Sequence, residues 1–319
     1  MQPMRVLQLL LLSLGGILLF PLSHQGQSPP VRKFVTVAGK KMCYISAGLE
    51  KRKPGEPVII FEAGFGAAGT LIFNNIFPAV AKIAPTFAYD RNGEGKSDLD
   101  TGLATGADIT KRLRALLQTL HIDPPYVLIG HSLGGPYILL YTALYQNEVK
   151  GLVFLDPPTP LTEKQLAAVR RLGPAGWDLG KSNLQKTLTD SLLPPMQRFR
   201  TAHLLNTVFK DGYFQEYASL PPLPDVPVAV LMAYNYHPQK DTTERQQLIT
   251  KANDTINEYR IQNYTALVAN NHNSIVMLLP GFKHFIYEQD PDLIISVIER
   301  IYRKALNLST RSHSEMQNR

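Results

Sequence analysis

The chain has 319 residues, of which 44% are hydrophobic and 18% are charged, enough for one large buried core. Its formal net charge is +7, but the Lys and Arg residues are scattered and not grouped with aromatic residues. This distribution argues against a nucleic-acid partner. The single cysteine, Cys43, excludes an intramolecular disulfide, and we expect it to pack within a strand.

Residues 1–30 differ in composition from the rest of the chain. Arg5 precedes an apolar run from Val6 to Leu22, and a polar, proline-containing stretch follows. The run is long for the apolar part of a signal peptide and short for a membrane span, so both a signal peptide and a membrane anchor fit. We therefore expect the protein to be exported (periplasmic, secreted or lumenal) or to be anchored to a membrane by this segment.

Beyond the N-terminal segment, strands and helices are predicted to alternate. A hairpin about Gly39 is followed by six apolar runs that predict strands: Val58 to Phe61, Thr86 to Tyr89, Tyr126 to Ile129, Leu152 to Leu155, Val228 to Ala233 and Ile275 to Leu278. Apolar residues at three- and four-residue spacing predict helices at Ala107 to Leu120, Leu133 to Gln146 and Pro291 to Leu306. Such alternation predicts an α/β fold with a mostly parallel central sheet flanked by helices.

The most informative segment is Gly130-His131-Ser132-Leu133-Gly134, which lies between a predicted strand and a predicted helix. Strand, sharp turn and helix are what a nucleophile elbow requires, because the serine must occupy a strained turn and the glycines let the neighbouring backbone approach. A candidate acid, Asp156, and a histidine, His284, follow in the chain order of a serine, acid and histidine site.

Together, four motifs resemble those of the α/β-hydrolase-fold serine hydrolases, of the esterase or lipase type. They are Phe61 to Gly66, Tyr89 to Asp98, Gly130 to Gly135, and the His284 segment that ends in Glu288-Gln289-Asp290-Pro291. The resemblance implies an α/β-hydrolase domain at 31–306, with a helical cap inserted after the sixth strand at about 157–224. It leaves 307–319 as a polar C-terminal tail.

The resemblance also implies roles for individual residues. Ser132 is the expected nucleophile, and His284 is the general base that takes its proton. The acid is open: most relatives place it after the strand that follows the cap, where Met232 to His237 contains no carboxylate. We therefore expect Asp156, at the end of the preceding strand, and keep Asp241 or a dyad assisted by Asn235 as alternatives.

The oxyanion hole is expected to use the backbone N–H groups of Leu133 and Phe65. In the loop that supplies Phe65, this chain departs from the family's frequent His-Gly pair, since Ala63-Gly64 stands in its place with Glu62 before it. The donor is a main-chain amide, so the change removes a bracing side chain and leaves the hole possible. Asp90 and Arg91 are expected to be structural.

The predicted reaction is the hydrolysis of a carboxylic ester through an acyl-enzyme, with thioesters, lactones and amides as neighbouring possibilities. The expected substrate is a small-molecule or lipid-like acyl compound. This chemistry needs no cofactor, and His203, His237 and His272 have no partners at metal-ligand spacing, so we expect no metal. The alternatives are a non-catalytic ligand-binding protein on the same fold and an acyltransferase. The oligomeric state is left open.

Overall fold

The computed structural model describes residues 30–103, 105–172, 220–234 and 243–317, with a few single positions between 173 and 219. The expected signal or anchor segment, most of the expected cap, and the alternative residues Asn235 and Asp241 lie outside the described residues. In the part of the chain that is described, no helix has the length and hydropathy needed to cross a membrane.

In the described part of the chain, eight strands form one central sheet. Their bounds are β1 Lys33–Val37, β2 Lys40–Ala47, β3 Val58–Glu62, β4 Thr86–Tyr89, β5 Tyr126–His131, β6 Val149–Leu155, β7 Val228–Tyr234 and β8 Ile275–Pro280. The order across the sheet is β1-β2-β4-β3-β5-β6-β7-β8. Only β1 with β2 and β2 with β4 pair antiparallel, and the remaining pairs are parallel. The mostly parallel sheet predicted from the sequence is confirmed.

Hydrophobic cores cover both faces of the sheet. In β6, for example, Leu152 and Phe154 belong to one core while Val153 and Leu155 belong to the other. Because successive side chains of a strand point to opposite faces, a strand buried on both sides is apolar at nearly every position. This is why the central strands could be predicted from continuous apolar runs. Cys43 is buried in β2, as expected.

The described helices flank the sheet. Their bounds are α1 Gly69–Ile72, α2 Phe77–Val80, α3 Gly106–Thr119, α4 Gly134–Leu144, α5 Glu163–Leu172, α6 Glu244–Leu267, α7 Ile286–Gln289 and α8 Pro291–Gln317. The described residues also form two short 3-10 helices, Leu49–Lys51 and Gln146–Glu148. Helix α3 begins at a capping box, in which the Thr105 hydroxyl accepts from the Asp108 N–H and the Asp108 carboxylate accepts from the Thr105 N–H.

Helix α8 is longer than its predicted end at Leu306. The buried face of the helix continues past that point, since Ser309 is buried and its hydroxyl donates to the Ala305 carbonyl. The segment expected to be a polar tail therefore continues the helix as far as Gln317. Helix α5 lies within the segment expected to form the cap.

The parallel register brings three strand ends to one level. Gly130 of β5 lies opposite Glu62 of β3 on one side and Phe154 of β6 on the other. The turns that follow β3, β5 and β6 therefore leave the sheet together at its carboxyl edge, where open α/β sheets bind their ligands.

Candidate active site

Ser132 occupies a sharp turn between β5 and α4. Its φ of 52° lies in the left-handed region, which a non-glycine residue rarely adopts. The turn is held by hydrogen bonds: the Ser132 N–H donates to the Leu155 carbonyl at 2.9 Å, and the Gly135 N–H donates to the Ser132 carbonyl at 2.8 Å. This is the geometry of a nucleophile elbow, with the serine partly exposed at the carboxyl end of the central strand β5.

The two glycines that flank the serine are required by close backbone approach. A Cβ on Gly130 would lie 2.5 Å from the Gly134 carbonyl oxygen, and a Cβ on Gly134 would lie 2.3 Å from the Glu62 carbonyl oxygen. Both distances are well inside van der Waals contact. A side chain on Gly130 would clash with the start of α4, and a side chain on Gly134 would displace that helix from β3.

Asp156 lies immediately after β6, with a φ of 47° and 2% of its surface exposed. Its Oδ1 accepts from the Ala233 N–H at 2.9 Å and lies 3.0 Å from a terminal guanidinium nitrogen of Arg260. Its Oδ2 lies 2.7 Å from Nδ1 of His284. The structure thus brings the candidate acid and the candidate base into direct contact, from the ends of β6 and β8.

Several contacts favour the ionised form of the Asp156 carboxyl. Burial acts to raise the pKa of Asp156, but the positive charge of Arg260 and the hydrogen bond to His284 outweigh it, so the pKa lies below its ordinary value. The carboxylate is therefore charged at neutral pH, as an acid that orients a histidine must be.

His284 lies in the loop between β8 and α7, with 18% of its side chain exposed. The ring of His131 packs against it, with 4.7 Å between the ring centroids. Nε2 of His131 lies 3.1 Å from the His284 backbone carbonyl, to which it donates as the Nε2–H tautomer. The residue before the serine therefore supports both the backbone and the ring of His284.

His131 itself is suited to this support and unsuited to accepting a proton. Burial, and next the nearby His284, lower the pKa of His131 to about 3, so its imidazole is neutral at physiological pH. Its Nδ1 has no hydrogen-bond partner among the described residues and faces the loop after β3, since a Cβ on Gly64 would lie 3.1 Å from it.

The loop after β3 carries Phe65 and lies beside the serine. A Cβ on Gly64 would be 3.2 Å from the Cβ of Ser132, and Phe65, the next residue, is partly buried in the turn. On the other side, Leu133 precedes the first turn of α4. The two residues expected to supply backbone N–H donors thus come from segments that adjoin Ser132.

A buried ionic cluster braces the Phe65 loop. Arg91 donates to the carboxylate of Glu62 and to the backbone carbonyls of Ala63 and Gly64, and its second terminal nitrogen lies 2.9 Å from Glu94. Arg91 is 2% exposed. The side chain of Glu62 therefore reaches the loop indirectly, through Arg91, at the place where the resemblance predicts a bracing histidine.

The charges in this cluster depend on one another. Burial would lower the pKa of Arg91, but the carboxylates of Glu94 and Glu62 raise it above its ordinary value. Burial raises the pKa of Glu62, and the charge of Arg91 opposes that effect. Arg91 thus stays protonated and keeps two buried carboxyl groups compensated.

One residue of the site was missed by the sequence reasoning. Arg260 comes from α6, a helix whose bounds were not predicted, and it contacts Asp156 because β6 and β7 are neighbours in the sheet. A signal was present: Arg260 falls at helical spacing between buried Asn257 and Tyr264, so a charged residue occupies the buried face of the helix.

No group of three His, Cys, Asp or Glu side chains is placed to hold a metal ion anywhere in the described ranges. The described residues place the turn of Ser132 beside His284, and they pair His284 with the buried carboxylate of Asp156. The loop after β3 and the start of α4 adjoin the serine.

Comparison with known proteins supports the fold. A family model described as alpha/beta hydrolase fold matches residues 57–206. The thermophilic esterase from Thermogutta terrifontis superposes with a TM-score of 0.56 at 17% identity, covering 86% of this chain and 99% of the esterase. The epoxide hydrolase CorEH superposes with a TM-score of 0.54 at 14% identity, covering 86% and 98%.

Sequence relatives match a shorter region. The uncharacterized protein YqjL of Bacillus subtilis (strain 168) is 31% identical over 99 residues, which cover 31% of this chain and 39% of YqjL. Three of the curated relatives are matched over 16%, 39% and 17% of their own lengths. The solved structures above therefore show which fold the chain has, and the curated relatives add no activity to it.

The buried state of His131 predicts a pH-dependent stability. The unfolded chain protonates this histidine near pH 6.5, whereas the folded chain protonates it only at about 3. The unfolded state therefore binds more protons than the folded state between these values. As the pH falls below 6.5, the free energy of unfolding decreases by up to about 1.4 kcal/mol per pH unit.

We expect His131→Asn to reduce the slope of the unfolding free energy against pH by the contribution of about one bound proton. The slope is measured by urea unfolding between pH 6 and pH 4. The matched control is His272→Asn, because the side chain of His272 is 85% exposed. Equal slopes in His131→Asn and the unmodified protein would contradict the assignment of a neutral, buried His131.

The ionic cluster predicts a large cost for removing its cation. Arg91→Met leaves Glu62 and Glu94 buried without a counter-charge, and we expect the free energy of unfolding at pH 7 to fall by about 3–5 kcal/mol. Adding Glu62→Gln should recover part of the loss, because one uncompensated carboxylate is then removed.

The control is Arg303→Met, which breaks a pair with Glu299 on the surface of α8, where Arg303 is 71% exposed. That change should cost less than about 1 kcal/mol in urea unfolding. If Arg91→Met cost no more than the surface control, the brace described above would be wrong.

Proposed function

Because this chain is an α/β-hydrolase-fold protein, we propose that it is a serine hydrolase that cleaves carboxylic esters through an acyl-enzyme on Ser132. The single observation that carries the proposal is the 2.7 Å contact between His284 Nδ1 and the buried carboxylate of Asp156, made beside the elbow that holds Ser132. A histidine held in this way presents its other nitrogen as a base.

In the proposed mechanism, the Ser132 hydroxyl attacks the ester carbonyl while His284 accepts its proton. Asp156 fixes the tautomer of His284 and stabilises the imidazolium that forms. The negative oxygen of the tetrahedral intermediate accepts hydrogen bonds from the N–H groups of Leu133 and Phe65. His284 then protonates the departing alcohol, which leaves the acyl group on Ser132.

Deacylation repeats these steps with water. His284 takes a proton from water as the water attacks the acyl carbonyl, and it returns the proton to Ser132 as the acid is released. Thioesters, lactones and amides fit the same sequence of steps. The substrate class that we propose is a small-molecule or lipid-like acyl compound.

We extend the proposal to the organisation of the whole chain. Residues 31–306 would form the catalytic domain, with a cap at about 157–224 over the site, and 307–319 would follow it. Residues 1–30 would export the protein or anchor it to a membrane, as the apolar run from Val6 to Leu22 indicates.

The test is labelling by a fluorophosphonate probe, followed by mass spectrometry of the intact protein. We expect one adduct on the unmodified protein and none on Ser132→Ala or His284→Ala, because both the nucleophile and its base are needed for the reaction. No adduct on a folded, unmodified protein would contradict the proposal and favour a non-catalytic ligand-binding protein.

The identity of the acid is tested by steady-state kinetics on a short-chain ester. Asp156→Asn should lower kcat by about 10³- to 10⁴-fold, because the amide favours the wrong tautomer of the histidine. Asp225→Asn, at an exposed carboxylate beside His272, is the control and should leave kcat unchanged. A loss in Asp241→Asn or Asn235→Ala instead would assign the role to that residue. Ester product formed on addition of an alcohol would indicate acyl transfer.

A further inference from the structure

We propose that Arg260 is a positioning residue of this active site: its guanidinium forms a buried ion pair with Asp156 and sets the pH range in which His284 can accept the proton of Ser132. The inference rests on the proposed function and goes beyond it. It assigns a role in the reaction to a residue of α6 that lies outside the four sequence motifs.

The guanidinium of Arg260 is held by contacts with two residues, Asp156 and Ala233. One terminal nitrogen of Arg260 lies 3.0 Å from Oδ1 of Asp156 and donates to the Ala233 carbonyl at 2.8 Å. The Ala233 N–H donates to the same Oδ1 at 2.9 Å. The residue at the end of β7 thus contacts both members of the pair, so the carboxylate is fixed relative to the sheet and to α6 together.

Both members of this ion pair are buried, so solvent screens the attraction between them very little. The side chains of Arg260 and Asp156 are 5% and 1% exposed. The Nε of Arg260 has no hydrogen-bond partner among the described residues, and a terminal nitrogen pairs with Asp156. A guanidinium remains charged when buried, and it therefore places a permanent positive charge behind the candidate acid.

The two carboxylate oxygens of Asp156 have different partners. Oδ1 is occupied by Arg260 and Ala233, whereas Oδ2 is left for Nδ1 of His284. This division fixes the plane of the carboxylate and with it the direction in which the histidine ring points. When His284 takes a proton, its new charge must share one carboxylate with Arg260.

The expected effect on proton affinity has a definite sign. Within the described residues, the titratable groups that contact or flank His284 are Asp156 after β6, Arg260 of α6 behind it, and His131 at the end of β5. His131 is kept neutral by burial, while Lys283 and Glu288 of the same segment as His284 are exposed to solvent. Asp156 favours protonation of His284, and Arg260 opposes it. Removing Arg260 should therefore favour the protonated histidine.

The experiment uses the full chain with three substitutions at this position. Arg260→Met removes the charge, Arg260→Gln removes the charge but keeps a hydrogen-bond donor, and Arg260→Lys keeps the charge. The control is Arg114→Met, which breaks a partly exposed pair with Glu148 away from the site. Thermal unfolding identifies the variants that fold. If Arg260→Met does not fold, Arg260→Gln is used in its place.

The first readout is the pH profile of kcat/KM for a short-chain ester. In Arg260→Met and Arg260→Gln we expect the acidic limb to move to higher pH by about one unit, because the protonated, inactive histidine is favoured. We also expect kcat on the plateau to fall about tenfold, because the carboxylate is less well oriented. Arg260→Lys and Arg114→Met should keep the acidic limb of the unmodified protein.

The second readout does not require activity. The ring of His284 is titrated by NMR in a Ser132→Ala background, with and without Arg260→Met or Arg260→Gln, and its midpoint should rise by a similar amount. If the unmodified protein hydrolysed no ester but the midpoint rose, the proposed function would fail and the role of Arg260 would stand. If neither the limb nor the midpoint moved in a folded Met or Gln variant, Arg260 would be structural only and the inference would be overturned.

Discussion

The site depends on one constraint, the register of the three parallel strands β3, β5 and β6. Gly130 lies opposite Glu62 and Phe154, so the turns that carry the oxyanion loop, the serine and the acid all begin at the same level of the sheet. Each turn needs a special backbone: Ser132 and Asp156 both have positive φ. Such strain persists only where the surroundings fix it, and the hydrogen bonds from the N–H groups of Ser132 and Asp156 to the neighbouring strands do so.

Two buried ion pairs hold the groups that these turns place beside the serine. Arg91 holds the loop after β3 through the carbonyls of Ala63 and Gly64, and Arg260 holds the carboxylate of Asp156. Buried ion pairs add little net stability, because desolvation cancels much of their attraction, but breaking one leaves an expensive isolated charge. Both pairs therefore fix geometry more than they stabilise the fold. In each case an arginine from outside the serine elbow fixes the position of a group beside the serine: the loop after β3 or the carboxylate of Asp156.

Much of the fold was predictable because buried parallel strands are apolar at most positions, so that β3 through β7 stand out in the sequence. Asp156 was expected as the partner of His284 from motif order and from the lack of a carboxylate in Met232 to His237, with Asp241 and Asn235 kept as alternatives. Arg260 was not predictable in the same way. Its contact joins α6 to the end of β6, and such pairings between distant segments depend on sheet order, which local patterns do not encode. The end of α8 was missed because polar residues beyond Leu306 hide a buried stripe that reaches Ser309.

The two adjacent histidines show how burial separates their roles. The rings of His131 and His284 are in contact, and two protonated imidazoles at this distance would repel each other. Burial keeps the ring of His131 neutral, whereas Nδ1 of His284 contacts the Asp156 carboxylate. His131 keeps the backbone of His284 in place, and the ring of His284 is the one that is partly exposed. The same burial that limits the stability of the fold in acid thus leaves His284 as the ring that would act as the base in the proposed mechanism.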